Sequence, residues 1–258
     1  MNLEKIVSGL GPDLVMLHGW GMHSNVLEPM VQGLATTWRV SKIDLPGYGM
    51  NQAKKWPEKL ESLTHLLLDA APPRAVWMGW SLGGLLAIHA ASMAPERING
   101  LILLASTPRF IAGDEWPCAL SGEEFKDFVN RFESDPSAAL LRFDLLQFKG
   151  TANAGESVRR LRALLGERRV APMALSIGLR LLLEADLRSR LSSYQQRLGA
   201  IYGDTDPLIP QCYGRALVNL VPHAIAVQIK GAGHAPFITH NNEVVAAVNK
   251  IMTGYDDA

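Results

Sequence analysis

Short, mostly apolar runs at residues 14–17, 40–45, 75–78, 101–105, 198–202 and 224–229 alternate with helix-length segments at 59–71, 82–94, 211–220 and 241–252. This alternation constrains the fold more than any other feature of the sequence. Strands that alternate with helices form parallel βαβ units, and a parallel strand buried on both faces reads as a continuous apolar run. The expected fold class is α/β, with a mostly parallel, doubly wound sheet. Across residues 107–190 the alternation stops, leaving helical periodicity and turn residues without a buried strand. That stretch is too long for a loop. We expect a helical cap inserted into a core formed by residues 1–106 and 191–258, roofing the strand ends where parallel sheets bind their ligands.

Composition narrows the function classes. Lys plus Arg equals Asp plus Glu at 25 each, which gives no reason to expect nucleic acid or a membrane surface as partner. No run approaches the ~18 apolar residues of a membrane span, and the first residues carry no signal-like apolar stretch. The expectation is a soluble, cytoplasmic monomer. The two cysteines, Cys118 and Cys212, have no metal-like or framework spacing, so both are expected to be reduced, with no metal bound.

The chemistry is carried by Gly79-Trp80-Ser81-Leu82-Gly83, which follows the run at 75–78 and opens the helix at 82–94. That strand-turn-helix context is the one a G-x-S-x-G nucleophile elbow requires. The glycines remove Cβ atoms where the backbone crowds, and the helix N-terminus favours developing negative charge near Ser81. A dinucleotide fingerprint fits less well, because the glycines do not follow G-x-G-x-x-G. In this order of elements the acid and then the histidine follow the serine. Gly203-Asp204-Thr205-Asp206-Pro207 and Gly231-Ala232-Gly233-His234 stand after the runs at 198–202 and 224–229. His234 is the candidate base. Asp206 is preferred over Asp204 as the acid, because Pro207 biases it towards an extended, reaching backbone, whereas Asp204 reads as a turn residue making an Asx hydrogen bond. For an oxyanion hole, His18-Gly19-Trp20-Gly21 at the end of the first run offers the Trp20 N–H beside that of Leu82, although the same tetrapeptide also reads as a plain strand-ending turn. His18 is expected to be structural, bonding loop backbone.

These motifs, together with Asp44-Leu45-Pro46-Gly47-Tyr48-Gly49, Pro95-Glu96-Arg97, Asp114-Glu115-Trp116-Pro117 and Gly233-His234-Ala235-Pro236-Phe237, resemble the BioH carboxylesterases of biotin synthesis, within the α/β-hydrolase superfamily. The resemblance implies hydrolysis of the methyl ester of a pimeloyl chain on acyl carrier protein, with no cofactor. It implies a substrate site at Trp20, Ser81, Leu82 and His234, and on the cap at Phe143, Asp144, Leu145, Leu146 and Gln147. Read from the residues alone, that cap stretch is an amphipathic helix with Phe143 and Leu146 in the cap's own core. Residues 142–169 carry seven cations against three anions, a net +4 that global neutrality hides. Acyl carrier proteins are acidic, so Arg142, Arg159, Arg160 and Arg162 are candidate docking residues, although exposed arginines also simply solubilise a helix face. A broad short-chain carboxylesterase, or a C–C bond hydrolase on the same scaffold, is the alternative activity. A binding protein without catalysis has no need of serine, acid and histidine in order.

Overall fold

A computed structural model describes residues 2–253. The apolar runs form the strands of one sheet: β2 (Asp13–Leu17), β3 (Arg39–Ile43), β4 (Ala75–Trp80), β5 (Ile98–Leu104), β6 (Arg197–Gly203) and β7 (Ile225–Ile229). A further strand, β1 (Lys5–Ser8), pairs antiparallel with β3 at the sheet edge. Three of its four residues are exposed and the fourth half-buried, so its sequence carries neither a continuous apolar run nor a buried-exposed alternation to mark it as a strand. The order is β1-β3-β2-β4-β5-β6-β7, all parallel from β3 onward. After β2 the chain adds strands first on one side and then on the other. The switch point therefore lies between β2 and β4, where doubly wound sheets open their ligand crevice.

Helices cover both faces: α1 (Glu28–Leu34), α2 (Leu60–Ala70), α3 (Leu82–Met93), and on the far side of the insertion α9 (Tyr213–Leu220), α10 (Pro236–Thr239) and α11 (Asn241–Thr253). Residues 82–91 of α3 are all buried, so this helix is apolar all round rather than on one stripe. Between β5 and β6 lie α4 (Gly122–Ser134), α5 (Pro136–Leu146), α6 (Ala154–Leu165), α7 (Pro172–Glu184) and α8 (Arg188–Ser192). Their starts are written locally: the Ser121 side chain accepts from the Glu124 N–H, Asp135 accepts from Ala138, and Pro136 and Pro172 stand in first turns.

The expectation of two reduced cysteines is corrected. Cys118, in the loop before α4, and Cys212, just before α9, form a disulfide with Cα atoms 5.6 Å apart. Ninety-four positions separate them, and only the folded return of the chain past β6 brings them together, so no local spacing announced the bond. Among the described residues, no helix is long and apolar enough to cross a membrane.

Candidate active site

The site stands at the carboxyl ends of β4, β6 and β7. Ser81 joins β4 to α3 at φ +53° and ψ −118°, a conformation that costs an L-residue energy and must be held from outside. Its N–H donates to Leu104 O at 3.0 Å, and Ser106 Oγ donates to its carbonyl at 2.7 Å. The flanking glycines are needed by close approach: a Cβ on Gly79 would strike the Gly83 backbone, and one on Gly83 would strike the carbonyls of Leu17 and His18.

Ser81 Oγ lies 3.0 Å from His234 Nε2, and His234 Nδ1 lies 2.9 and 3.1 Å from the two oxygens of Asp206. The carboxylate can only accept from Nδ1–H, which leaves Nε2 free to take the serine proton. Asp206 Oδ1 also accepts the N–H groups of Leu208 and Ile209, at 2.8 and 3.1 Å. The Asx-type turn therefore belongs to Asp206. Asp204, which the sequence reading had making it, instead reaches across to the next loop, where its Oδ1 accepts Gly231 N–H at 2.6 Å. His23, His89, His223 and His240 form their hydrogen bonds elsewhere.

Two supports of the histidine loop were not foreseen. The Trp80 indole N–H donates to His234 O at 2.8 Å, and His234 N–H donates to the backbone carbonyl of Gln147 at 2.9 Å. Both span large sequence separations, so no local pattern could reveal them.

The loop after β2 abuts the serine, since a Cβ on Gly19 would sit 3.2 Å from Ser81 Cβ. His18 spans the base of this loop: its Nδ1 bonds Gly19 O at 2.9 Å and its Nε2 accepts Leu45 N–H at 3.0 Å. Burial pushes its pKa down to about 4 against a smaller opposing pull from Asp44, so the ring is neutral near pH 7. The Trp20 indole donates to Leu175 O at 2.8 Å and meets Phe128, Phe132 and Phe143 edge-on. Leu82 is the first residue of α3, so its N–H belongs to the first turn, which has no intrahelical acceptor.

A cavity of about 200 Å³ reaches Ser81, lined chiefly by apolar side chains, among them Phe110, Phe125, Phe143, Leu146 and Leu179, with Pro207 and Leu208 from the Asp206 loop and two charged residues, Glu124 and Lys149. Of the cap stretch named in the sequence reading, Phe143 and Leu146 line this cavity and the other three do not. Leu145 points outward and is 55% exposed. Asp144 is fully buried in an ion cluster with Arg162 and Arg168. Gln147 is buried and meets His234 through its backbone. The helical period explains the split, because on α5 only residues three or four apart share a face.

The docking candidates divide as well. Arg162 is bound to Asp144, and Arg160 donates to Ile238 O at 2.9 Å. Arg142 and Arg159 are exposed, and neither has an ion pair among the described residues.

A family model described as the alpha/beta hydrolase fold matches residues 12–241. A pimeloyl-[acyl-carrier protein] methyl ester esterase of Xanthomonas oryzae pv. oryzae is 41% identical over 253 residues, covering 98% of this chain and 98% of its own. One of the same name from Stenotrophomonas maltophilia is 40% identical over 259 residues, covering 100% of this chain and 98% of its own. Among solved structures, the enol-lactonase of Burkholderia xenovorans superposes with a TM-score of 0.82 at 23% identity, covering 97% of this chain and 96% of that one. An esterase of Exiguobacterium antarcticum gives a TM-score of 0.82 at 19% identity, covering 97% and 95%. At these identities the structural likeness speaks for the fold, whereas the full-length sequence identity reaches further: the chain belongs to the α/β-hydrolase superfamily and, within it, to the family of the pimeloyl-[acyl-carrier protein] methyl ester esterases.

Proposed function

We propose that this chain hydrolyses the methyl ester at the end of a pimeloyl chain carried on acyl carrier protein, with Ser81 as nucleophile, His234 as general base and Asp206 as the orienting acid. The observation that carries the reading is the hydrogen-bonded chain Ser81–His234–Asp206, whose serine opens into a largely apolar cavity. Near-full-length identity to esterases of that name supports the substrate. Ser81 Oγ attacks the ester carbonyl as its proton passes to His234 Nε2, and the resulting imidazolium is stabilised by Asp206. The N–H groups of Trp20 and Leu82 receive the oxyanion. His234 returns the proton to the departing methoxide, and methanol leaves. A water, deprotonated by the same imidazole, then attacks the acyl-enzyme and releases Ser81 together with a free carboxylate.

The helices of residues 107–190 act in this reading as a cap, and Phe143 and Leu146 are its acyl-facing residues. At about 200 Å³ the cavity is below the roughly 300–1,000 Å³ of pockets for drug-sized ligands, which suits a slender chain. The cytoplasm, as the compartment of carrier-protein chemistry, is the location that this substrate implies.

For docking, the exposed Arg142 and Arg159 form the proposed anionic-partner patch, whereas Arg160, which donates to Ile238 O, and Arg162, which is paired with Asp144, are left out of it. The test compares kcat/KM on carrier-bound pimeloyl methyl ester, free dimethyl pimelate and p-nitrophenyl acetate. A preference of about tenfold or more for the carrier-bound ester is expected, and Arg142→Glu with Arg159→Glu should remove most of it while sparing the small esters. Raising salt should do the same, as the Debye length falls below about 10 Å. Equal rates on all three substrates would instead leave a broad short-chain carboxylesterase.

A further inference from the structure

Asp144 is the one carboxylate of the inserted helices that is fully buried, and the reaction proposed above gives it nothing to do. Its Oδ2 accepts Arg162 Nε at 2.9 Å, and its two oxygens accept Arg168 Nη2 at 2.7 and 2.9 Å. The other terminal nitrogen of Arg168, Nη1, donates to Gly21 O at 2.9 Å. One planar guanidinium thus joins α5 to the residue that follows Trp20.

We infer that Arg168, locked by Asp144, is a positioning residue for the oxyanion hole, holding the Gly19–Gly21 loop so that the Trp20 N–H faces the reacting carbonyl. The inference deepens the proposed mechanism and rests on its assignment of Trp20 as an oxyanion donor. A loop with glycines on both sides of the donor has a soft backbone, and Gly21 itself stands at φ +70°. Oxyanion donors act only within a few tenths of an ångström of their proper place. Such a loop needs constraint from outside, and it receives it on both sides of the Trp20 N–H. On one side His18 ties Gly19 O to Leu45 N–H. On the other side the inserted helices take over, through Arg168 on Gly21 O and Leu175 O on the Trp20 indole.

Arg168 is itself well anchored. The carbonyl of the next residue, Arg169, accepts Gly49 N–H at 2.7 Å, and Ala171 N–H donates to Gly47 O at 2.7 Å, so this connection is stitched to the loop after β3. Leu140 on α5 packs against the same spot, where a Cβ on Gly21 would come within 3.0 Å of its Cδ2. An ion cluster of this kind is a poor route to stability, because well-packed apolar side chains serve as well or better. Its fixed fork of donors is suited instead to holding two partners at a set angle.

The test uses the intact enzyme with p-nitrophenyl acetate and a small methyl ester. Arg168→Met should lower kcat by roughly 10- to 100-fold, short of the full loss of an oxyanion donor, with KM within about threefold. Affinity for a trifluoromethyl ketone, which forms an oxyanion adduct on the serine, should fall by the same factor as kcat/KM. Asp144→Asn should show a smaller loss of the same kind and add nothing on top of Arg168→Met. Should the single variants fail to fold, the apolar replacement Asp144→Leu, Arg162→Met, Arg168→Met decides: it should melt near wild type and still show the kcat deficit. A folded variant with kcat within twofold of wild type, or a loss confined to KM, overturns the inference. Labelling of wild type by a fluorophosphonate separates the two levels. If Ser81 is labelled and the variants are fully active, only the positioning role fails; if Ser81 is not labelled, the nucleophile assignment fails with it.

Discussion

The loops at the strand ends and the helices inserted between β5 and β6 meet at one cavity, but they are held by different means. At the strand ends the fixing contacts are short and run largely through backbone: Ser81 N–H to Leu104 O, Asp206 to the N–H groups two and three residues on, Thr205 N–H to Ala232 O. Glycines at 79, 83, 203 and 233 let chains approach where any Cβ would collide. In the insertion, long side chains reach across, as Arg168 and Arg162 do to Asp144 and Arg160 does to Ile238 O. Large apolar side chains also remain in solvent there, including Leu141, Leu145 and Met173. The first kind of construction fixes a reacting geometry. The second shapes what reaches it, and through Arg168 it also bears on the geometry itself.

The sharpest way to break this division is at Ser81. Ser81→Ala removes the attacking oxygen and little volume, so activity on every ester should fall on the order of a millionfold with the melting temperature close to wild type. Retention of more than about a hundredth of the activity would mean that the chemistry lies somewhere other than the β4–α3 turn.

The next largest effect separates the two aspartates of one loop. Asp206→Asn should reduce kcat by about ten-thousandfold, the size seen for this change in another Ser-His-Asp triad, because an amide facing Nδ1 favours the wrong imidazole tautomer. Asp204→Asn keeps an oxygen to accept Gly231 N–H and should cost a few-fold at most. Steady-state kinetics on one ester suffices, and the opposite ranking would move the acid to Asp204.

The same division explains what could be read from the sequence. Six strands and the order of serine, acid and histidine were legible, because each is written within a few consecutive residues: an apolar run, then the turn that ends it. Phe143 and Leu146 were legible as apolar, and only the helix geometry could separate them from Leu145 and Asp144 between them. Arg168 bonding Gly21, Trp80 bonding His234 and Cys118 joining Cys212 depend on separations of 147, 154 and 94 positions, which carry no local signal. The Asx turn was assigned to the wrong aspartate because either residue satisfies its local rule. Only the approach of the β7 loop gives Asp204 a different partner.

The smallest predicted effect concerns stability and compares the two buried groups that flank the Trp20 loop, His18 from the strand-end side and Asp144 from the inserted side. Asp144 has two guanidinium partners, whereas His18 is packed neutral between Gly19 O and Leu45 N–H, its pKa pushed down to about 4 chiefly by desolvation. In the unfolded chain the imidazole returns to about 6.5, so between those two values the unfolded state binds more protons than the folded one. Stability contributed by neutral His18 is therefore whole above about pH 6.5 and falls steadily as the pH drops to about 4, by ~3 kcal/mol in all. Urea unfolding at pH 7 and pH 4.5 would measure it against His18→Gln, which cannot take up the proton. The variant should be less stable at pH 7, since the ring's place between two backbone groups is lost. Its further loss on acidification should nevertheless be smaller than wild type's by about 2–3 kcal/mol. Parallel pH dependences in the two proteins would show that the strand-end side of the loop is not held by a neutral histidine, and that the acid sensitivity of the fold arises among its carboxylates instead.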